Sequence, residues 1–497
     1  FDGDDQPDFC VTQGRPWKST AQLPREHQDL LYRQQNGRYD QVNRLAFENE
    51  NGLGQGVSVG DFDRDGFQDL YIANIGANHL LINNGDGTFR TVILPVAEHS
   101  QPGWTTSCLM ADLDGDGFDD LYDVQYATGN EPFERICHSG PDNLFRGCLP
   151  TFFEAAHDVV LQNKGDGEIS DLTESSGLMN FQGRGLGILA ADLNDSPGLE
   201  MFVSNDMSPN HLLEIQKTDT GLRLVETAGS TGLGSNGEGQ IEACMGIAAA
   251  DFSGDGAIDL FVTNFFEETN TFYVGQGAGF FMDQTRISRL GPVSLKKLAF
   301  GTQPLDADND TDWDLLITNG HVDDFRYKDI PWKMTPDLMQ NVGSGGFERC
   351  PDASLGEYGH DKTLGRAVAT VDWNRDGLLD AIVTHLDRHP ALLQNETATE
   401  NHSLSLHLIG IDSNRPAIGA TISVTLANRE LVVQRVAGDG YYCSNDQNIV
   451  VGVGAEDVVS EVAIRWPSGT IQKFQNVPTD SRLRAVEGHR TLYTITP

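Results

Sequence analysis

The sequence predicts an all-β protein, a seven-bladed β-propeller followed by a small β-sandwich-like C-terminal module. Three observations lead there. An acidic turn of the Asp-x-Asp-x-Asp-Gly type, set between two apolar strands, recurs with starting residues Asp61, Asp112, Asp192, Asp251, Asp306 and Asp372. Thirteen residues past each start stand Asn74, Gln125, Asn205, Asn264, Asn319 and His385, polar hydrogen-bonding side chains in one register. The 54 glycines among 497 residues suit the many tight turns of an all-β repeat protein.

Taken in order, residues 1–28 read as a polar, irregular arm, 29–400 as the propeller and 401–497 as the module. Asp29–Tyr32 and Gln35–Tyr39 match the outer hairpin that follows each acidic turn, with Asn36 and Gly37 at the tip supplying positive φ. This hairpin has no inner strands of its own, as expected of a half-blade that closes a ring. Six full repeats follow, with later outer hairpins near Val159, His211, Thr271, Leu338 and Leu392. Inserts at 129–157 and 321–336 exceed what a propeller turn needs. Beyond residue 400, short alternating strands at Ser403–Ile409, Thr421–Leu426 and Glu461–Trp466 are separated by Gly, Asn and Pro turns, and Trp466 reads as a buried anchor.

Net charge is -39, which argues against nucleic acid as a partner because phosphate contacts need Lys and Arg. No run of about 18 apolar residues exists to span a membrane. The chain opens at Phe1 rather than Met, as after signal-peptide removal or trimming; a secreted, extracellular or periplasmic location is the expectation. Of the 7 cysteines, Cys137 and Cys148 close a short insert and form the expected disulfide, leaving at least one other cysteine unpaired. Asn395 and Asn401 begin glycosylation sequons.

The acidic turns place hard oxygen donors at loop positions 1, 3, 5 and 9, with a backbone carbonyl at 7, which is calcium chemistry. The candidate ligands of the first are Asp61, Asp63, Asp65, Phe67 and Asp69; of the second, Asp112, Asp114, Asp116, Phe118 and Asp120. The fourth offers Asp251, Ser253, Asp255, Ala257 and Asp259, and the sixth Asp372, Asn374, Asp376, Leu378 and Asp380. The fifth offers Asp306, Asp308, Asp310, Asp312 and Asp314, with Thr311 where glycine belongs, at a cost in backbone strain. The third, Asp192, Asn194, Ser196 and Glu200, carries Pro197 at the turn, which cannot reach positive φ; this loop is expected to be reshaped or empty. The metals are expected to be structural.

At the opposite ends of the inner strands lies a funnel. The repeated asparagines there are explained by hydrogen bonds to turn backbone. Residues that break the repeat are the binding candidates: Trp104, Tyr126, Arg184, Asp206, Glu242, Asp323 and Arg366, with His321 and His385 as candidate catalytic bases. A carboxylate beside His321 would raise its pKa. GxSxG, HExxH and P-loop signatures are missing.

These repeats resemble FG-GAP/VCBS repeats of the integrin-α-type propeller. Asn414-Arg415-Pro416-Ala417-Ile418-Gly419-Ala420, Gly438-Asp439-Gly440-Tyr441-Tyr442 and Trp466-Pro467-Ser468-Gly469 resemble the ASPIC/UnbV domain. Together, over about residues 29–490, they are similar to the cartilage acidic protein family and its bacterial homologues. Cys443 departs from the family pattern, as does the third loop. The resemblance implies an extracellular calcium-binding protein without an assigned reaction. The expected function is extracellular binding or adhesion, toward a protein, glycan or small molecule. The alternative is a calcium-stabilised propeller enzyme, of hydrolase or natural-product cyclase or transferase type, with a funnel pocket near His321, His385, Arg184 and Arg366.

Overall fold

The computed structural model describes residues 1–14, 29–35, 37–42, 52–95, 103–140, 143–165, 167–218 and 221–495. Each repeat is an antiparallel sheet. The first joins Gly54–Gly60, Asp69–Asn74, His79–Asn83 and Phe89–Val92; the second, Thr105–Ala111, Asp120–Gln125, Val159–Asn163 and Ile169–Asp171. The third, fourth and fifth repeat this four-stranded order from Gly185, Ile247 and Ala299, and the sixth, from Gly365, has three strands. The second strand of the first repeat is buried at every position, as is that of the second. Such strands are apolar on both faces because a sheet packs against each. Leu109, Tyr122, Ile188 and Met201 fill the space between the second and third sheets, and Phe252, Phe261, Phe272 and Phe347 that between the fourth and fifth.

The first strands of successive sheets stand side by side and converge closely. A Cβ on Gly246 would lie 2.2 Å from the Phe300 carbonyl oxygen, and one on Gly301 2.3 Å from that of Arg366, so glycine is required at both. Thr263 and Thr318 reinforce the approach by donating to those same two carbonyls. Five of these strands share a register shift near their start, between Gly54 and Val57, Thr105 and Ser107, Gly185 and Gly187, Ala299 and Thr302, and Gly365 and Val368. A bulge re-aims the side chain it displaces. Leu186, Phe300 and Arg366 sit in these shifts and face one shared cavity.

The N-terminal residues form more than an irregular arm. Phe9–Val11 pairs with Leu30–Gln35, which pairs with Arg38–Gln41. This sheet touches both the first and the sixth repeats. Gly54 N donates to Gln13 O (3.1 Å), and Gln34 Nε2 to Trp373 O (3.1 Å). Gly37 has φ 71°, while Asn36 and residues 15–28 of the expected arm lie outside the described residues. No hydrogen-bonded sheet closes into a ring among the described residues. Cys137 and Cys148 form the disulfide expected of the first insert.

The module is two four-stranded sheets packed on Leu404, Ile422, Val462, Ile464 and Trp466, the last only 1% exposed. Between strands Glu430–Gln434 and Ile449–Gly454 the chain leaves the module and enters the axis where the inner strands converge. Ala437 bridges Ala190, and Gly440 bridges Ile247. Asn445 Oδ1 then accepts from Thr370 N (2.9 Å), and the Cys443 thiol donates to Val368 O (3.2 Å). Gly438 and Gly440, at φ 81° and 96°, permit that passage. The axis is therefore filled by the protein itself.

Candidate functional site

The acidic turns end on the face that carries the module. Position 1 caps its own loop: Asp61 Oδ2 accepts from Gly66 N (3.0 Å), Asp112 Oδ2 from Gly117 N (2.9 Å) and Asp306 Oδ2 from Thr311 N (2.8 Å). Position 5 fixes the carbonyl-bearing residue at 7, with Asp65 accepting from Phe67 N, Asp116 from Phe118 N and Asp310 from Asp312 N. Position 9 ties the loop to the outer hairpin, since Asp69 accepts from both Phe62 N and Asn83 N (2.8 Å each). Carboxylates already held this way are preorganised around a common centre.

Three loops gather three carboxylates with oxygens within 4.8 Å of one another: Asp61, Asp63 and Asp69; Asp112, Asp114 and Asp120; Asp306, Asp308 and Asp310. Asp61 Oδ1 is buried without a hydrogen-bond partner. Burial first, then the neighbouring charges, pushes Asp61 and Asp112 up to about 6 and Asp306 up to about 8. Clustered oxygen donors that resist ionisation without a counter-charge fit a hard divalent cation. The fifth loop achieves this with Thr311 at φ 83°. In the fourth, Asp251 accepts from three loop amides, at Gly254, Asp255 and Gly256. The sixth pairs Asn374 Nδ2 with Asp376 Oδ2 (2.8 Å).

The third loop does not fit a metal. Arg465 of the module places Nη2 2.7 Å from Asp192 Oδ2, and Asn194 Nδ2 donates to Glu200 Oε1 (2.6 Å). Asp192 Oδ2 and Glu200 Oε1 already face donors, and Asp192 Oδ1 is buried without a hydrogen-bond partner.

On the opposite face, the repeated asparagines spend their amide nitrogens locally, while Oδ1 of Asn74, Asn205 and Asn264 is buried without a hydrogen-bond partner. Asn74 Nδ2 donates to Ile72 O, Asn205 Nδ2 to Pro209 O, Asn264 Nδ2 to Thr269 O and Asn319 Nδ2 to Thr335 O. Gln125 instead donates to the Thr105 hydroxyl.

A cavity of about 1230 Å³ runs beside the filled axis, bounded by the N-terminal sheet, the first and sixth repeats and the module. It collects Trp104, Tyr126, Asp206, Arg366 and His385 of the sequence candidates, with Phe265, Phe300, Tyr441 and Tyr442 added. Tyr126 donates to Asp206 Oδ2 (2.6 Å), and its ring lies 4.8 Å from that of Trp104. Trp104 Nε1 is buried and without a partner. Arg366 donates through Nη1 to Gly320 O and Gly365 O, and its Cζ lies 3.9 Å from the Phe300 ring centroid. No carboxylate pairs with it among the described residues, and burial lowers its pKa to about 10.

Four candidates lie outside that cavity. Arg184 donates to Ser208 Oγ and Phe153 O. Glu242 accepts from Asn236, Asn264 and Thr271. Asp323 ties the two inserts by accepting from Gly147 N (2.8 Å). His321 is 2% exposed, with Phe265 and Phe325 edge-on to it, and its Nδ1 accepts from Asp323 N (3.2 Å). The expected rise in its pKa is reversed: burial and Arg366 lower it to about 4. His385 has both nitrogens engaged, Nδ1 with His389 O (3.1 Å) and Nε2 with Tyr358 OH (2.8 Å). A carbonyl only accepts, so Nδ1 carries the proton and Nε2 receives the tyrosine hydroxyl. Tyr441 and Tyr442 were missed because nothing in their local pattern directs a module loop between the converging inner strands.

Residues 1–72 and 61–122 match the FG-GAP-like repeat, and residues 410–492 match ASPIC and UnbV. The chain carries FG-GAP-like repeats and an ASPIC and UnbV domain. Cartilage acidic protein 1 of Mus musculus is 21% identical over 480 residues, covering 84% of this chain and 71% of that protein. The Homo sapiens protein of the same name is 22% identical, over 84% of this chain and 69% of its own length. Among solved structures, an Agrocybe aegerita lectin recognising non-reducing terminal N-acetylglucosamine shares 15% identity at a TM-score of 0.42, covering 74% of this FG-GAP-repeat chain and 88% of the lectin. The BP39L lectin of Burkholderia pseudomallei shares 11% identity at a TM-score of 0.37, over 86% and 99% of the two chains.

Proposed function

We propose that this is a secreted, calcium-braced seven-bladed propeller that binds an anionic ligand in the cavity beside its filled axis. The N-terminal sheet, wedged between the first and sixth repeats, supports the seventh-blade reading. Converging carboxylates in the first, second and fifth loops support calcium. The relatives named cartilage acidic protein support extracellular binding.

One observation carries the ligand class. Arg366 is a partly buried guanidinium lining a large cavity, held by two backbone carbonyls and with no carboxylate in ion-pair distance among the described residues, and an arriving anion would complete its charge pairing. Trp104, Phe265 and Tyr126 give the same cavity an aromatic wall, suited to a ring attached to the anion. Both histidines proposed as bases have surroundings that explain them structurally, so binding is favoured over turnover.

The test is a panel of ring-bearing carboxylates and sulfates, uronic-acid oligosaccharides included, read by indole fluorescence and by melting temperature. Ligands that bind wild type should lose at least tenfold in affinity to Arg366→Met, about 1.4 kcal/mol. Binders indifferent to both Arg366→Met and Trp104→Ala would place the ligand elsewhere.

A further inference from the structure

We propose that Arg465 is the resident cation of the third loop, a side chain in the place where neighbouring loops present a metal site, and that this pair is a calcium-independent latch between module and propeller. The geometry is specific. Arg465 Nη2 lies 2.7 Å from Asp192 Oδ2 and also donates to Thr421 Oγ1 (2.9 Å), so strand Thr421–Thr425 holds it in place. Asp192 is only 2% exposed in its side chain. Gln434 grips the same residue through the backbone, its Oε1 accepting from Asp192 N (3.1 Å) and its Nε2 donating to Asp192 O (2.9 Å). The rest of the loop closes on itself. Glu200, one methylene longer than the aspartate found at this position in the other loops, reaches Leu193 N (2.9 Å) and Asn194 Nδ2 (2.6 Å). Asn194 Oδ1 in turn accepts from Ser196 N (2.8 Å).

The contrast with other loop contacts of the module marks this one as different. Arg415 approaches Asp61 only to 3.9 Å, and Arg429 approaches Asp312, itself 33% exposed, to 3.3 Å. Those two arginines lie beside carboxylate clusters that remain open to a cation. At the third loop the guanidinium contacts the position-1 carboxylate itself, and Pro197 occupies the turn where the first and second loops have glycine. Degeneration of the loop and donation of an arginine by the module are therefore two halves of one arrangement. The loop has exchanged a metal for a domain contact.

The proposal is independent of the ligand in the cavity but shares the calcium reading of the other loops, so the experiment separates the two. Bound calcium is counted by equilibrium dialysis and elemental analysis for wild type, Asp192→Asn and Asp112→Asn. Asp112→Asn should lose one equivalent and Asp192→Asn none. A loss from neither would refute the calcium reading alone; a loss from Asp192→Asn would overturn the resident-cation proposal. Latching is read by the alkylation rate of Cys443, mapped by peptide mass spectrometry, because its thiol is held in the axis against Val368 O. Arg465→Met should accelerate that alkylation about tenfold, the scale of one charge-assisted contact, equally in calcium and in chelator. Asp192→Asn combined with Arg465→Met should add little to either alone, and Arg465→Lys should restore part of the protection. An unchanged rate in Arg465→Met, or full additivity in the double variant, would reject the latch. If Arg465→Met fails to fold, Gln434→Ala tests the same contact, with faster Cys443 alkylation expected and an unchanged rate counting against the latch.

Discussion

The two faces of the repeat array treat their polar residues in opposite ways. On the module side, what repeats is like charge: carboxylates crowd together, and their ionisation is opposed by burial and by each other. On the funnel side, what repeats is neutral, each asparagine donating its amide to backbone at the strand end. A cation there without a carboxylate in ion-pair distance among the described residues, Arg366, breaks the pattern. A repeated cluster of like charge calls for a repeated counter-ion, which a metal ion is. An unrepeated charge without a counter-charge calls for a single ligand.

The largest expected effect follows on the module side. A cation that binds only the folded chain stabilises by about 2.7 kcal/mol per site at a hundredfold excess over its dissociation constant, so three loops reach roughly 8 kcal/mol. Melting in chelator should fall well below melting in calcium. Equal melting temperatures would erase the contrast between the faces.

The pH dependence sharpens it. Without metal, Asp61 and Asp112 sit at about 6 and Asp306 at about 8, above the ordinary 3.8. A carboxyl whose folded pKa is raised contributes stability that is complete below its unfolded pKa and lost as pH rises through the folded one. In chelator, these groups should therefore make the protein more stable at pH 5 than at pH 8. Calcium requires them ionised, so its stabilising increment should shrink as pH falls from about 8 to 6. Melting curves at three pH values, with and without calcium, check both signs. A calcium increment that does not depend on pH would mean that these loops are not where the metal acts.

Much of this was legible in the sequence, and the reason lies in the spacing. A turn with carboxylates two residues apart states its own chemistry, and recurrence of Asn74, Asn205, Asn264 and Asn319 in one register fixed the strand that follows each turn. What could not be read is what depends on contacts between distant segments. His321 and Arg366 look like free groups beside a funnel, yet one is enclosed by phenylalanines from two segments and the other lies over Phe300. The passage of Gly438–Asn445 through the axis is a tertiary fact with no periodic signal. Pro197 signalled that the third loop was unusual, but the arginine that answers it stands far along the chain.

A smaller effect compares two funnel residues directly. Asn264→Ala removes three hydrogen bonds, to Thr269 O, Thr271 Oγ1 and Glu242 Oε2, and leaves a buried carboxylate short of donors. That should cost about 1–3 kcal/mol of stability, read from chemical denaturation in calcium. Arg366→Met gives up two carbonyl contacts and a cation–π contact, but it also removes a partly buried charge with no carboxylate in ion-pair distance among the described residues. Replacing a buried charge by an apolar chain of similar length is often close to neutral. Arg366→Met should therefore change stability by less than Asn264→Ala while abolishing anion binding. The reverse ranking, a destabilised Arg366→Met beside a neutral Asn264→Ala, would make Arg366 a structural brace like its repeated neighbours. The distinction between the two faces would then rest on the metal loops alone.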